Sequence, residues 1–104
     1  MATEEKTLLE TRRFAVVEKS VVRRDGLTAT CKYVRHDGSV AILPILRDGS
    51  VCLINSRRVT VEETLIELPA GTREPNEPPL ETARRELAEE TGFRAGQLDE
   101  LTSY

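Results

Sequence analysis

At 104 residues the chain has room for one domain, able to bury roughly two-thirds of the surface its unfolded form exposes. A formal net charge of −3 and a pI near 5.2 exclude a general basic patch, so a nucleic acid polymer is not an expected partner. No apolar run approaches membrane-spanning length, and residues 1–10 are polar and acidic instead of basic and then apolar; a cytoplasmic chain with no membrane partner is expected.

In chain order, residues 1–10 read as a flexible, frayed or weakly helical start. Phe14 to Val17 and Ser20 to Arg24 are rich in β-formers, and Asp25-Gly26 followed by Leu27 to Val34 predicts a hairpin whose turn needs positive φ. His36-Asp37-Gly38 is a second turn, and a turn histidine with no metal-spaced partner reads as surface. Val40 to Leu46 is almost continuously apolar, which predicts a central strand. Asp48-Gly49 turns the chain into Val51 to Asn55, a second buried strand, followed by a loop from Ser56 to Glu63. A short strand, Leu65 to Leu68, then delivers Pro69-Ala70-Gly71. Cys31 and Cys52 lie in apolar runs without disulfide or metal-knuckle spacing, and are expected as buried free thiols.

The densest stretch of chemistry runs from Gly71 to Phe93. Pro78 and Pro79 suit the start of a helix and Gly92 the position just past its end, so a helix is predicted over Pro79 to Thr91. Glu86, Glu89 and Glu90 stand at i, i+3 and i+4 on one flank, where their carboxylates repel unless a cation lies among them. Leu80, Ala83 and Leu87 form a flank to bury. Charged helix faces are mostly solvated, with Arg84 and Arg85 as intrahelical partners. Clustered hard oxygens without His or Cys nevertheless favour Mg²⁺ or Mn²⁺ over zinc. Gln97 to Tyr104 has the spacing of a further strand. Strands followed by a helix predict an α+β arrangement.

Gly71, five residues, Glu77, seven residues, Arg85-Glu86, Leu87, Ala88, Glu89-Glu90, Thr91, Gly92 and Phe93 together resemble the Nudix box, with its seven fixed identities all filled. The approach Leu65-Ile66-Glu67-Leu68-Pro69-Ala70 is similar to the segment before the box in ADP-ribose pyrophosphatases. The resemblance implies a Nudix-type α/β/α sandwich with a mixed sheet over residues 11–104, its box at 71–93. It implies metal ligation by Glu86 and Glu90, with Glu89 and the backbone carbonyl of Ala70 adding to the site. Arg85 would hold the glutamates, Glu77 would be auxiliary, and Arg58 and Glu67 would meet substrate. Arg57 and Arg58 are both left open between anion binding and surface charge.

The implied reaction is Mg²⁺-dependent hydrolysis of a nucleoside diphosphate linked to another group, ADP-ribose to AMP and ribose 5-phosphate first. GDP-mannose or another sugar nucleotide is an alternative substrate, and a non-catalytic sensor module or an inactive fragment an alternative role. Twelve residues follow Gly92, where the family continues with more strands, a second helix and a catalytic glutamate. The chain is therefore expected to be the N-terminal portion of the domain, incomplete after the Nudix helix. A sheet cut short exposes a strand edge, which favours a homodimer.

Overall fold

Alternating β-formers and punctuating turns produce the elements seen in the computed structural model, which describes residues 5–104. Strands β1 (Lys6–Glu10), β2 (Phe14–Val22) and β3 (Thr28–His36) form one antiparallel sheet in the order β1-β2-β3. The β2–β3 register runs from Phe14 opposite His36 to Val22 opposite Thr28. Gly26 takes φ 82° in the connecting turn, where the Leu27 amide donates to Asp25 Oδ1 at 3.0 Å. The expected hairpin is therefore present. Lys6–Glu10 departs from the frayed start: it pairs with β2, with a register shift between Thr7 and Leu9. Tyr33 Oη donates to Glu5 Oε2 at 2.6 Å, and Lys19 and Arg35 ion-pair with the same carboxylate. Residues 1–4 of the expected start lie outside the described residues.

The chain divides after Asp37 into two compact units. The second unit, from Gly38 on, holds β4 (Ser39–Ala41), β5 (Ile54–Arg58), β6 (Glu63–Glu67), β7 (Ala70–Thr72) and α1 (Pro79–Thr91). β4 pairs with β7, and β5 with β6, both antiparallel. The α+β class holds, with α1 the one helix among the described residues and every strand pairing antiparallel; no parallel pairing of a mixed sheet occurs among them.

Helix α1 has the predicted bounds, and the reasons are local. Pro78 is extended at the N-cap and Pro79 opens the helix, where neither missing N–H leaves a bond unmade. Gly92 closes it at φ 78°, its amide donating to the Ala88 carbonyl at 2.9 Å. Ala83 and Leu87 are buried with Ile42 in the small core of this unit, and Val40, Ala95 and Leu98 pack against it. Leu80 does not join them: it is 44% exposed, and fully buried Thr82 takes a place on the inner side instead.

Val40 to Leu46 is not one central strand. β4 ends at Ala41, and Pro44 offers no amide to a ladder. The Ile42 amide donates to the Pro69 carbonyl, and Cys52 donates to the Pro44 carbonyl, so the segment bends instead of extending. A continuous apolar run becomes a buried strand only when both its faces are covered; here Ile42 is buried while Leu43 and Ile45 stay exposed. Val51 to Asn55 is likewise corrected, since Val51 makes only an isolated bridge to Ile45 and the strand starts at Ile54. The expected loop from Ser56 to Glu63 is mostly hairpin, with its turn at Val59–Glu62. Gln97 to Tyr104 forms no strand. The thiols are free, but Cys31 is exposed and Cys52 half-buried, because apolar neighbours in sequence do not cover them.

Candidate functional site

β7 leads directly into the loop that precedes α1, and this brings the Ala70–Gly71 backbone against one flank of the helix. A Cβ at Gly71 would overlap the carboxyl group of Glu86, so glycine here is what lets that side chain keep its place. Its absence of a side chain lets the Glu86 carboxylate lie on bare backbone. One turn on, Glu90 Oε2 accepts from the Ala70 amide at 3.2 Å. Two of the predicted carboxylates are thus gathered at one point of the loop.

Arg85 organises the rest. Its Nε donates to Glu77 Oε2 at 3.0 Å and its Nη2 to Glu77 Oε1 at 2.9 Å, a forked pair that suits the planar guanidinium. Nη2 also reaches the Thr72 carbonyl at 3.2 Å, while Nη1 donates to Glu86 Oε1 at 2.8 Å and, more loosely, to Glu89 Oε2 at 3.4 Å. Glu89 stays 58% exposed at its side chain. The hydrogen bonds it donates to Glu77 raise the Arg85 guanidinium further above its ordinary value. Arg84 instead stands outside this group, 3.9 Å from Glu81.

Glu77 is held from three sides. Besides Arg85, Thr82 Oγ1 donates to its Oε1 at 2.5 Å and the Glu74 amide to the same oxygen at 3.2 Å. Chiefly the Arg85 hydrogen bonds, then that from Thr82, pull its carboxyl down from 4.5 to about 2. A folded value below the unfolded one means that the stabilisation is complete above about pH 4.5 and is lost as pH falls toward 2. A carboxyl-carbon NMR titration is therefore expected to find Glu77 still ionised at pH 3.5, and a midpoint near 4.5 would contradict the lock.

Arg58 and Glu67, both expected to meet substrate, are bound to each other. Arg58 Nε lies 2.8 Å from Glu67 Oε2 and 3.1 Å from Oε1, and Nη2 also pairs with Oε1. This contact raises the Arg58 guanidinium and lowers the Glu67 carboxyl, with the Ser56 hydroxyl as a further donor to Glu67. The Glu90 charge adds to this, as the smallest of the causes that raise Arg58. Arg57 is turned to the hairpin, where Nη1 caps the Glu62 carbonyl at 2.7 Å beside the positive φ of Glu62.

The donor set fits a hard divalent cation of the Mg²⁺ kind, which takes one or two carboxylates and keeps its other positions for water and phosphate. Glu86 and Glu90 at the Ala70–Gly71 backbone are the residues that could hold it. Among the described residues no three Asp, Glu, His or Cys side chains are grouped so as to hold a metal ion, so Glu89 does not join Glu86 and Glu90 at this point. Thr82 and Arg73 were missed in the sequence; Thr82 carried a faint signal in its position five residues after Glu77, and Arg73 carried none.

Known proteins match this arrangement. Residues 35–104 match the NUDIX domain. The chain is 35% identical over 106 positions to an ADP-ribose pyrophosphatase of Bacillus subtilis (strain 168), covering 97% of this chain and 57% of that protein. It is 39% identical over 83 positions to an ADP-ribose pyrophosphatase of Mycobacterium tuberculosis (strain ATCC 25618 / H37Rv), covering 79% and 40%. A crystal structure described as an ADP compounds hydrolase superposes with a TM-score of 0.73 at 28% identity, covering 93% of this chain and 53% of that one. The chain thus spans about half the length of the relatives it matches. A family match over residues 35–104, a matching solved fold and the filled signature from Gly71 to Phe93 agree: the chain belongs to the Nudix family.

Proposed function

We propose that this chain carries the cation-binding site of a pyrophosphohydrolase that cleaves a nucleoside diphosphate linked to another group, with ADP-ribose as the first substrate and Mg²⁺ as the cation. The observation that carries this reading is the gathering of Glu86 and Glu90 at the Ala70–Gly71 backbone, with Arg85 holding Glu86 from behind. When bound, a divalent cation neutralises diphosphate charge and activates water. The chain's own residues position that chemistry. Glu86 and Glu90 supply the anionic oxygens, Gly71 admits the Glu86 carboxylate, and Arg85 fixes it. Glu89 is exposed and only loosely tied, so it is free to turn toward the same point as an additional ligand.

Arg58 offers a cation to a diphosphate oxygen, in competition with the Glu67 carboxylate that it holds. Substrate therefore exchanges one anion for another on Arg58. The similarity to proteins named ADP-ribose pyrophosphatase supports ADP-ribose over GDP-mannose. A homodimer in the cytoplasm belongs to the same proposal, and exposed Val59 and Ile66 on the β5–β6 hairpin offer apolar surface for a second copy.

Incubation with Mg²⁺ and ADP-ribose, GDP-mannose, NADH or ADP-glucose, with products separated by chromatography, tests the reading. AMP release from ADP-ribose is expected, falling about 100-fold or more in Glu90→Gln, as for loss of a ligand that activates water. Turnover untouched by that substitution would contradict the site. Binding of ADP-ribose without AMP release would make the chain a sensor.

A further inference from the structure

We propose that Arg73 is a positioning residue for the cation site, acting through Glu77 and Arg85 on Glu86. This rests on the reading of Glu86 and Glu90 as cation ligands. Arg73 is the first residue after β7, and its Nε and Nη2 both donate to the Glu77 carbonyl, at 2.9 and 2.7 Å. The Pro78 carbonyl accepts the first helical bonds, from the Glu81 and Thr82 amides, so the Glu77 carbonyl before it lies outside the ladder. A forked guanidinium supplies donors at that point.

The same residue is fixed at its own backbone. The Arg73 amide donates to the Gly38 carbonyl at 2.9 Å, and the side chain passes so near Gly38 that a Cβ there would sit 3.4 Å from Arg73 Cδ. Gly38 has φ 96°, which disfavours any other residue. Arg73 therefore ties the β4 entrance to the end of the box loop. At that end the Glu77 carboxylate forks onto Arg85, and Arg85 Nη1 holds Glu86. Asn76, at φ 63°, sits in the middle of the tied loop in a conformation that non-glycine residues seldom hold unsupported. Releasing Arg73 frees the loop at Glu77, and the play passes through Arg85 to Glu86.

Outer groups that orient a ligand typically change metal affinity 10–100-fold, and Arg73 stands further out than Arg85. Free Mn²⁺ measured by electron paramagnetic resonance is expected to show about 5-fold weaker binding by Arg73→Gln. Arg73→Lys should fall between, since an ammonium reaches the carbonyl without the fork. Arg84→Gln is the control and should bind as the parent does. In ¹⁵N NMR the Arg85 Nε–H signal, which Glu77 binds in the parent, should broaden in Arg73→Gln and sharpen again in Arg73→Lys. A role confined to loop stability would lower the melting temperature and leave Mn²⁺ affinity and that signal alone, overturning the proposal. If Arg73→Gln does not fold, parental Mn²⁺ affinity in folded Arg73→Lys overturns it equally. A parent chain that binds no Mn²⁺ would sink the cation site itself, and the positioning role with it.

Discussion

Gly71→Ala is expected to abolish most AMP release, by about 100-fold or more, while leaving a folded chain. The added methyl would occupy the space of the Glu86 carboxyl group, so either Glu86 swings away or the β7 backbone shifts. Gly71 is not in the left-handed region, so alanine meets no conformational objection. The effect is one of crowding, which in packed sites costs about 1–3 kcal/mol. The stability loss should therefore be modest and the functional loss severe, because the carboxylate that must move is a proposed ligand. Thermal unfolding together with initial rates separates the two. A parental rate in Gly71→Ala would show that Glu86 does not need its place on the loop.

Arg85→Met is the second large effect, expected at about 100-fold in rate, with Arg85→Lys nearer 10-fold. Removing the guanidinium leaves Glu77, Glu86 and Glu89 without the cation they share. Lysine restores the charge but cannot fork onto Glu77 while also reaching Glu86. The same substitutions should return the Glu77 carboxyl from about 2 toward its ordinary 4.5. An equal loss in Arg84→Gln would mean that bulk helix charge, not this geometry, is responsible.

How much of this was legible in the sequence follows from how local each cause is. The bounds of α1 were readable because Pro78, Pro79 and Gly92 act within a single turn of chain. Helical spacing put Glu86, Glu89 and Glu90 on one flank, while the approach of that flank to the Ala70 backbone and the holding role of Arg85 came only with the resemblance to the Nudix box. The extent of the strands was not readable. Val40 to Leu46 looked like a central strand by composition, yet its fate depends on Pro44 and on which carbonyls accept the Ile42 and Cys52 amides. Lys6–Glu10 is held as a strand by its pairing with β2, and its own polar sequence gave no sign of it. The mutual pairing of Arg58 and Glu67 was equally hidden: the resemblance assigned both to substrate, and the register sets Arg58 opposite Glu63 and Glu67 opposite Ile54, so only their long side chains bring them together. Arg73 was invisible because its partner is a main-chain carbonyl, which every residue carries.

The most direct measurement is a crystal of the chain soaked in Mn²⁺, examined by anomalous diffraction. The account predicts a peak bounded by Glu86, Glu90 and the Ala70–Gly71 backbone, lost in Glu90→Gln. A peak elsewhere, or none at millimolar Mn²⁺, would contradict a cation site built on the box.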